Sequence, residues 1–280
     1  MIPDHSGEDI QNRSAVSEEA ENVSYVTSKR SGYVSRAHRN PLAIGGFRVP
    51  LGPPWVPWTE LYPKIAHPQV RIVDVGSGYG GLLFYLATRV PTNHCLLGME
   101  IRTAVWRLAQ EKLLQQRALS RAYERVAFLH TNAQRYLWNY IDRASLDVLI
   151  FAYPDPHFKR KKHRQRIVSR TLLPLYGYLL RRGGRLYAST DVEALYEWMY
   201  DRLEECPLFE CKCRLVERHG KSRFNPRMTE GPSIGQEADP LSLQFFANDL
   251  YAAAVRDWTD EGQRVSRMQG DKFLLVYEKR

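Results

Sequence analysis

Arg71-Ile72-Val73-Asp74-Val75-Gly76-Ser77-Gly78-Tyr79-Gly80-Gly81 is a short apolar run that meets an acid and then breaks into glycines. The apolar half reads as a buried strand and the glycines as the sharp turn that follows it. Working outward, the same grammar repeats. Leu82 to Ala87 reads as a helix, Cys95 to Glu100 as a strand and Thr103 to Leu119 as an amphipathic helix. A third strand is expected over Arg125 to His130, a helix around Gln134 to Tyr140, and a fourth strand over Asp147 to Ala152. A helix over Leu172 to Leu180 is expected to end at Gly183-Gly184, before a fifth strand, Arg185 to Thr190, and a helix from Val192 to about Glu205. Strand-like runs recur at Cys211 to Val216 and Phe273 to Tyr277. Strands alternating with helices imply a mostly parallel sheet of seven strands covered by helices on both faces. Such sheets bind ligands at the carboxyl ends of their strands.

Composition bounds the remaining choices. The chain has 280 residues, 44% hydrophobic, enough for one large α/β core. Lys plus Arg outnumber Asp plus Glu by 40 to 31, a net charge of +9 that suits a polyanionic partner without requiring one. No run approaches the roughly 18 apolar residues of a membrane span, and the first residues lack a signal-peptide core, so no membrane partner is expected. Four cysteines, Cys95, Cys206, Cys211 and Cys213, are too few for a disulfide framework and suit a reducing compartment, nucleus or cytoplasm. Residues 1–30 read as a disordered tail and 31–280 as one domain. Within it, 31–63 form an irregular arm whose tryptophans, Trp55 and Trp58, are expected to pack onto the body. A polar insertion is expected at about 211–240, densest in Gly and Pro from Lys221 to Pro240.

Gly76, Gly78 and Gly81 satisfy G-x-G-x-x-G, which keeps a nicotinamide-dependent oxidoreductase in play. The flanking residues argue otherwise. A pyrophosphate at this turn would be repelled by Asp74, whereas a cationic sulfonium and ammonium would be attracted. Glu100, closing the second strand, has the acceptors for a ribose diol. Asn132-Ala133, after the third, is placed to meet an adenine. After the fourth strand, Tyr153-Pro154-Asp155-Pro156-His157-Phe158-Lys159 holds a carboxylate between two prolines at a strand end. The basic run Lys159-Arg160-Lys161-Lys162-His163-Arg164-Gln165-Arg166 follows at once and suits phosphates beside a target base. Arg181, Arg182 and Arg185 are expected to extend that surface, as are Arg30, Arg36, His38 and Arg39 of the arm.

Pro154-Asp155-Pro156-His157-Phe158-Lys159-Arg160, with Lys162-His163, resembles the signature of the tRNA (guanine-N7-)-methyltransferase family, eukaryotic catalytic subunit type. Agreement continues in order through Arg36 to Pro41, Trp58 to Pro63, Gly98 to Arg102, Thr190 to Val192, Pro207 to Glu210 and Thr259 to Gly262. The resemblance implies a class I, Rossmann-like S-adenosylmethionine-dependent fold, S-adenosylhomocysteine as product, no metal, and N7 of the variable-loop guanine of tRNA as target. It places Gly76, Glu100, Arg102, Asn132, Ala133, Thr259 and Glu261 around the cofactor. Asp155 takes the catalytic position, with Lys159, Arg160, Lys162 and Asp191 toward the substrate. A non-catalytic WD-repeat subunit is implied as partner. The chain departs from the pattern in its longer 211–240 region and in Ala152, where a bulkier residue is expected. A non-catalytic RNA-binding relative is the second alternative; intact Gly76, Glu100, Asp155 and Glu261 disfavour it. Cys206, Cys211, Cys213 and His219 lack the spacing of a zinc site.

Overall fold

Alternate residues of the central strands are apolar on both sides, and this dictates a sheet buried on two faces. In the computed structural model, which describes residues 40–42, 46–219 and 235–280, Ile72, Leu96 and Ile150 enter one core while their neighbours Val73, Leu97 and Leu149 enter the other. The strands are β1 (Val70–Val75), β2 (Cys95–Glu100), β3 (Val126–His130), β4 (Leu146–Ala152), β5 (Leu180–Thr190), β6 (Phe209–Arg218), β7 (Gly235–Glu237) and β8 (Lys272–Lys279). The helices are α1 (Trp58–Leu61), α2 (Gly81–Ala87), α3 (Thr103–Leu119), α4 (Ala133–Tyr140), α5 (Leu173–Leu179), α6 (Glu193–Glu204), α7 (Pro240–Asn248), α8 (Leu250–Asp257) and α9 (Asp260–Arg267).

The sheet order is β3-β2-β1-β4-β5-β8-β6-β7. Pairings among β1 to β5 are parallel, and β8 enters antiparallel between β5 and β6. A dinucleotide-binding sheet runs 3-2-1-4-5-6, so the reversed last strand sets this fold apart. The seven expected strands are present, and the three-residue β7 pairs with the end of β6 as an eighth. One face is covered by α4, α5 and α6, the other by α2, α3 and α8.

Four expectations need correction. The fifth helix ends at Leu179 rather than at Gly183-Gly184, and both glycines lie inside β5. They make an irregularity between the Leu146–Leu180 and Val148–Arg185 pairs. Gly183 has φ +74°, and a Cβ on Gly184 would lie 2.8 Å from the Leu146 carbonyl oxygen. The strand expected over Cys211 to Val216 is present within the ten-residue β6, so residues 211–218 do not belong to the insertion expected at about 211–240. Helices α7 to α9 were not foreseen, although Asp239, Asp249 and Thr259 each cap one by accepting from a backbone N–H. In the arm, Trp58 packs against the core but Trp55 is 71% exposed. The expected tail and Arg30, Arg36, His38 and Arg39 lie outside the described residues, as do residues 220–234 of the insertion.

Candidate active site

Parallel strands deliver their carboxyl ends to one rim, and the quoted acids and glycines assemble there. The Gly76 N–H and Ser77 N–H both donate to the Met99 carbonyl, at 2.7 and 3.2 Å, folding the turn back over β2. Gly76 has φ +82°, and a Cβ there would meet nothing within 4 Å. The position therefore faces open space above the strand ends.

Asp74 lies beneath this turn, 2% exposed, and its Oδ1 has no hydrogen-bond partner. Burial, then the charges of Glu100 and Asp260, push its pKa up from 3.8 to about 7. Ser77 Oγ, on the same turn, is also buried without a hydrogen-bond partner. Uncompensated buried polar atoms cost free energy, so these two at one turn describe a site arranged for something else to satisfy. A cationic group suits it, because the charges of Glu100 and Asp260 already disfavour further negative charge beside Asp74. A pyrophosphate does not fit here; a sulfonium carrying an amino-acid ammonium does.

Glu100, 3% exposed, is held from several directions. Its Oε1 accepts from the Arg102 N–H at 2.8 Å and from Arg102 Nε at 3.1 Å. Its Oε2 accepts from the Gly78 N–H and Arg102 Nη2, both at 3.1 Å. A ribose diol would exchange for the Arg102 side-chain contacts while the two backbone donors keep the carboxylate aimed. Asn132 precedes α4, and its Nδ2 donates to the Pro41 carbonyl at 2.6 Å, so the arm reaches this edge of the site. Ala133, the first residue of α4, is buried beside it.

The late Thr-Asp-Glu-Gly segment arrives from the far side of the chain. Thr259 Oγ1 accepts from the Gly262 N–H at 2.8 Å and starts α9. A Cβ on Gly81 would lie 3.4 Å from Asp260 Oδ1, which places this acid against the glycine turn. Asp260 was absent from the sequence-based site; its signal was its place between Thr259 and Glu261, at a helix start where acids are favourable. Glu261 is ion-paired with Arg264 at 3.1 Å.

The reaction loop follows β4. Tyr153 N–H donates to Ser189 O on β5 at 2.8 Å, and its hydroxyl donates to Arg256 O at 2.8 Å. Burial, then Asp257, Asp191 and Glu261, drive that hydroxyl's pKa far above its ordinary value. Asp191 and Glu261 thus converge on the residue that anchors the loop. Asp155 Oδ1 accepts from the His157 N–H at 3.1 Å, and Oδ2 lies 3.6 Å from His157 Nδ1, leaving a carboxylate 27% exposed. Tyr153 and His157 have φ +49° and +45°, conformations costing roughly 1–3 kcal/mol each outside glycine. The loop is therefore held in a strained shape around Asp155.

Past it, Arg160–Gln165 forms a short 3-10 helix, and Lys159, Arg160, Lys161, Lys162 and Arg164 are exposed. The expected basic face is only part of the run. Arg166 is 5% exposed, His157 is buried, and His163 packs edge-on against Trp198 with centroids 5.3 Å apart. Arg181 and Arg185 do not extend this face. They lie at the opposite end of the parallel strands, beside a cavity of about 550 Å³ also lined by Arg71 and His94. Arg181 pairs there with Asp147, and Arg185 with Asp249 and Glu278. Among the described residues no cluster of three or more His, Cys, Asp or Glu side chains is arranged to hold a metal.

Known proteins resemble this chain in sequence. The family described as "Putative methyltransferase" matches residues 68–238, which span β1 through β7. The tRNA (guanine-N(7)-)-methyltransferase of Anopheles gambiae is 39% identical over 247 residues, covering 88% of this chain and 92% of its own. The chain belongs to the tRNA (guanine-N7-)-methyltransferase family. The relative from Aedes aegypti is 36% identical, with 88% and 89% of the two chains covered. That from Kluyveromyces lactis is 34% identical, with 89% and 82% covered. The nicotinamide-dependent alternative is not favoured by these relatives.

Proposed function

We propose that this chain transfers a methyl group from S-adenosylmethionine to N7 of the variable-loop guanine of tRNA, with Asp155 as the catalytic carboxylate. The observation that carries this reading is the unpartnered, buried Asp74 under an open glycine turn, on the same rim as the rigidly held Asp155. When bound, S-adenosylmethionine supplies an electrophilic methyl on a sulfonium and departs as S-adenosylhomocysteine. Asp74, Glu100 and Asp260 would hold its cationic and hydroxyl groups; Asn132 and Ala133 would flank its base.

The chain's own residues then have little proton chemistry to perform. Guanine N7 carries a free lone pair, so no strong base is required. Positive charge grows on the purine as the N–C bond forms, and Asp155 opposes it as a fixed carboxylate. The same carboxylate can accept from the guanine imino and amino donors, fixing the ring in the plane that presents N7. Lys159, Arg160 and Lys162 take the neighbouring phosphates, while Asp191, near Tyr153 on the other side, faces the substrate and Glu261 completes the cofactor pocket. A non-catalytic WD-repeat subunit that grips the body of the same tRNA is the partner this reading calls for.

Methylation of tRNA with labelled S-adenosylmethionine, followed by mapping of the modified base with and without that partner, tests the proposal. The expected product is 7-methylguanine in the variable loop. In parallel, S-adenosylmethionine should raise Tm and NAD should leave it unchanged. Stabilisation by NAD alone would defeat the reading.

A further inference from the structure

We infer that Arg166 is a positioning residue for methyl transfer: its buried guanidinium grips the Pro156 carbonyl and so sets the direction in which Asp155 presents its carboxylate. This rests on the reading of Asp155 given above. The basic run divides sharply, with Lys159 to Lys162 and Arg164 exposed, His163 half-buried and Arg166 turned inward. Arg166 Nε donates to Pro156 O at 2.9 Å, and its guanidinium lies 4.8 Å from the Trp198 ring centroid. Trp198 is fixed in turn, its Nε1 donating to Val168 O at 2.8 Å. The Arg166 N–H donates to His163 O at 3.0 Å, closing the turn on which the side chain is mounted.

A guanidinium in this position is expensive. Among the described residues no carboxylate forms an ion pair with Arg166, and burial lowers its pKa. An apolar side chain of similar volume would fill the same space at less cost if packing were the only need. What it cannot supply is a directed donor. In Pro154-Asp155-Pro156 the rings fix φ at 154 and 156, and Asp155, which precedes Pro156, is biased to extended conformations. The ring leaves ψ of Pro156 free, and that torsion orients the carbonyl that Arg166 holds. Tyr153 pins the loop's entry to β5 and α8, and Arg166 pins it just past Asp155, so the carboxylate sits between two anchors. Arginine suits the post better than lysine because its plane stacks on Trp198 while Nε donates sideways.

Arg166→Met, Arg166→Lys and Asp155→Asn, with the double variant Asp155→Asn/Arg166→Met, test this in the full chain with its partner. For Arg166→Met we expect kcat to fall about 100-fold, as for a misplacement on the order of 1 Å. KM for tRNA and the dissociation constant for S-adenosylmethionine measured by calorimetry should be unchanged. Arg166→Lys, which keeps a donor but loses the stack, should recover part of kcat. In the Asp155→Asn background Arg166→Met should add no further loss, because it acts through a carboxylate no longer present. Wild-type kcat in Arg166→Met, or a defect confined to KM, would overturn the inference. So would full multiplication of the two losses, the mark of a general structural role. If Arg166→Met does not fold, wild-type kcat in Arg166→Lys together with a wild-type Tm in Trp198→Phe overturns it equally. An active Asp155→Asn enzyme would instead defeat the underlying reading of Asp155.

Discussion

Replacing Asp74 with Asn should make the ligand-free protein more stable and the enzyme worse. Asp74 is fully buried, and its pKa stands at about 7 in the fold against 3.8 for an ordinary aspartate. Between those values the unfolded chain has lost the proton that the folded chain still holds. Stability is therefore complete below about pH 4 and falls as pH rises toward 7. Each pH unit is worth about 1.4 kcal/mol, so the window of about three units bounds the cost at about 4 kcal/mol. Asn keeps the shape and carries no charge. At pH 8 Asp74→Asn should exceed the wild type by up to that amount, an upward Tm shift on the order of 5–10 °C for a domain of this size. At pH 4 the difference should vanish. The ligand reverses the ranking, because a cationic methyl donor needs the ionised carboxylate. Wild-type affinity should weaken about tenfold per pH unit below 7, and the Asn variant should bind weakly and without pH dependence from 6 to 8. Differential scanning fluorimetry from pH 4 to 8, with and without S-adenosylmethionine, reads both effects. Calorimetry in buffers of different ionisation enthalpy should detect a proton released by the wild type on binding and none by the variant. An Asn variant no more stable than wild type at pH 8, with wild-type affinity flat from pH 6 to 8, would refute the reasoning.

Three further outcomes can be checked with the same assays. Asp155→Asn should lower kcat by about 100-fold or more while leaving the calorimetric affinity for S-adenosylmethionine intact. A Cβ on Gly98 would collide with the Phe128 ring and lie 2.6 Å from Ser77 Oγ. Gly98→Ala should therefore cost about 1–3 kcal/mol by overpacking and weaken donor binding, read as a lower Tm and a smaller ligand-induced shift. Arg160→Ala/Lys162→Ala should raise KM for tRNA with kcat retained, and should reduce the slope of log affinity against log salt by roughly 1–2; an unchanged slope would remove these residues from the phosphate contacts.

The parts of this protein that local chemistry dictates were legible from the chain alone. Cys95–Glu100 and Thr103–Leu119 run as their residues predict, because an unbroken apolar run and a 3.6-residue stripe each admit one comfortable conformation. The Pro-Asp-Pro loop, the glycine turn and the acids at the ends of β1 and β2 announced themselves because few other arrangements need those residues in that order. Gly183-Gly184 misled for the converse reason: two glycines end a helix or bulge a strand equally well, and only the Leu146 carbonyl across the sheet decides between them. Tertiary structure alone brought Asp260 against Gly81, some 180 positions earlier in the chain. It also turned Arg166 inward while its basic neighbours stayed in water, and sent Arg181 and Arg185 to the wrong end of the sheet to meet tRNA. Charge and side-chain type are properties of a residue; burial and direction are properties of what packs around it. For that reason the chain could name the chemistry of its site, while the packing alone decided which charges face the reaction.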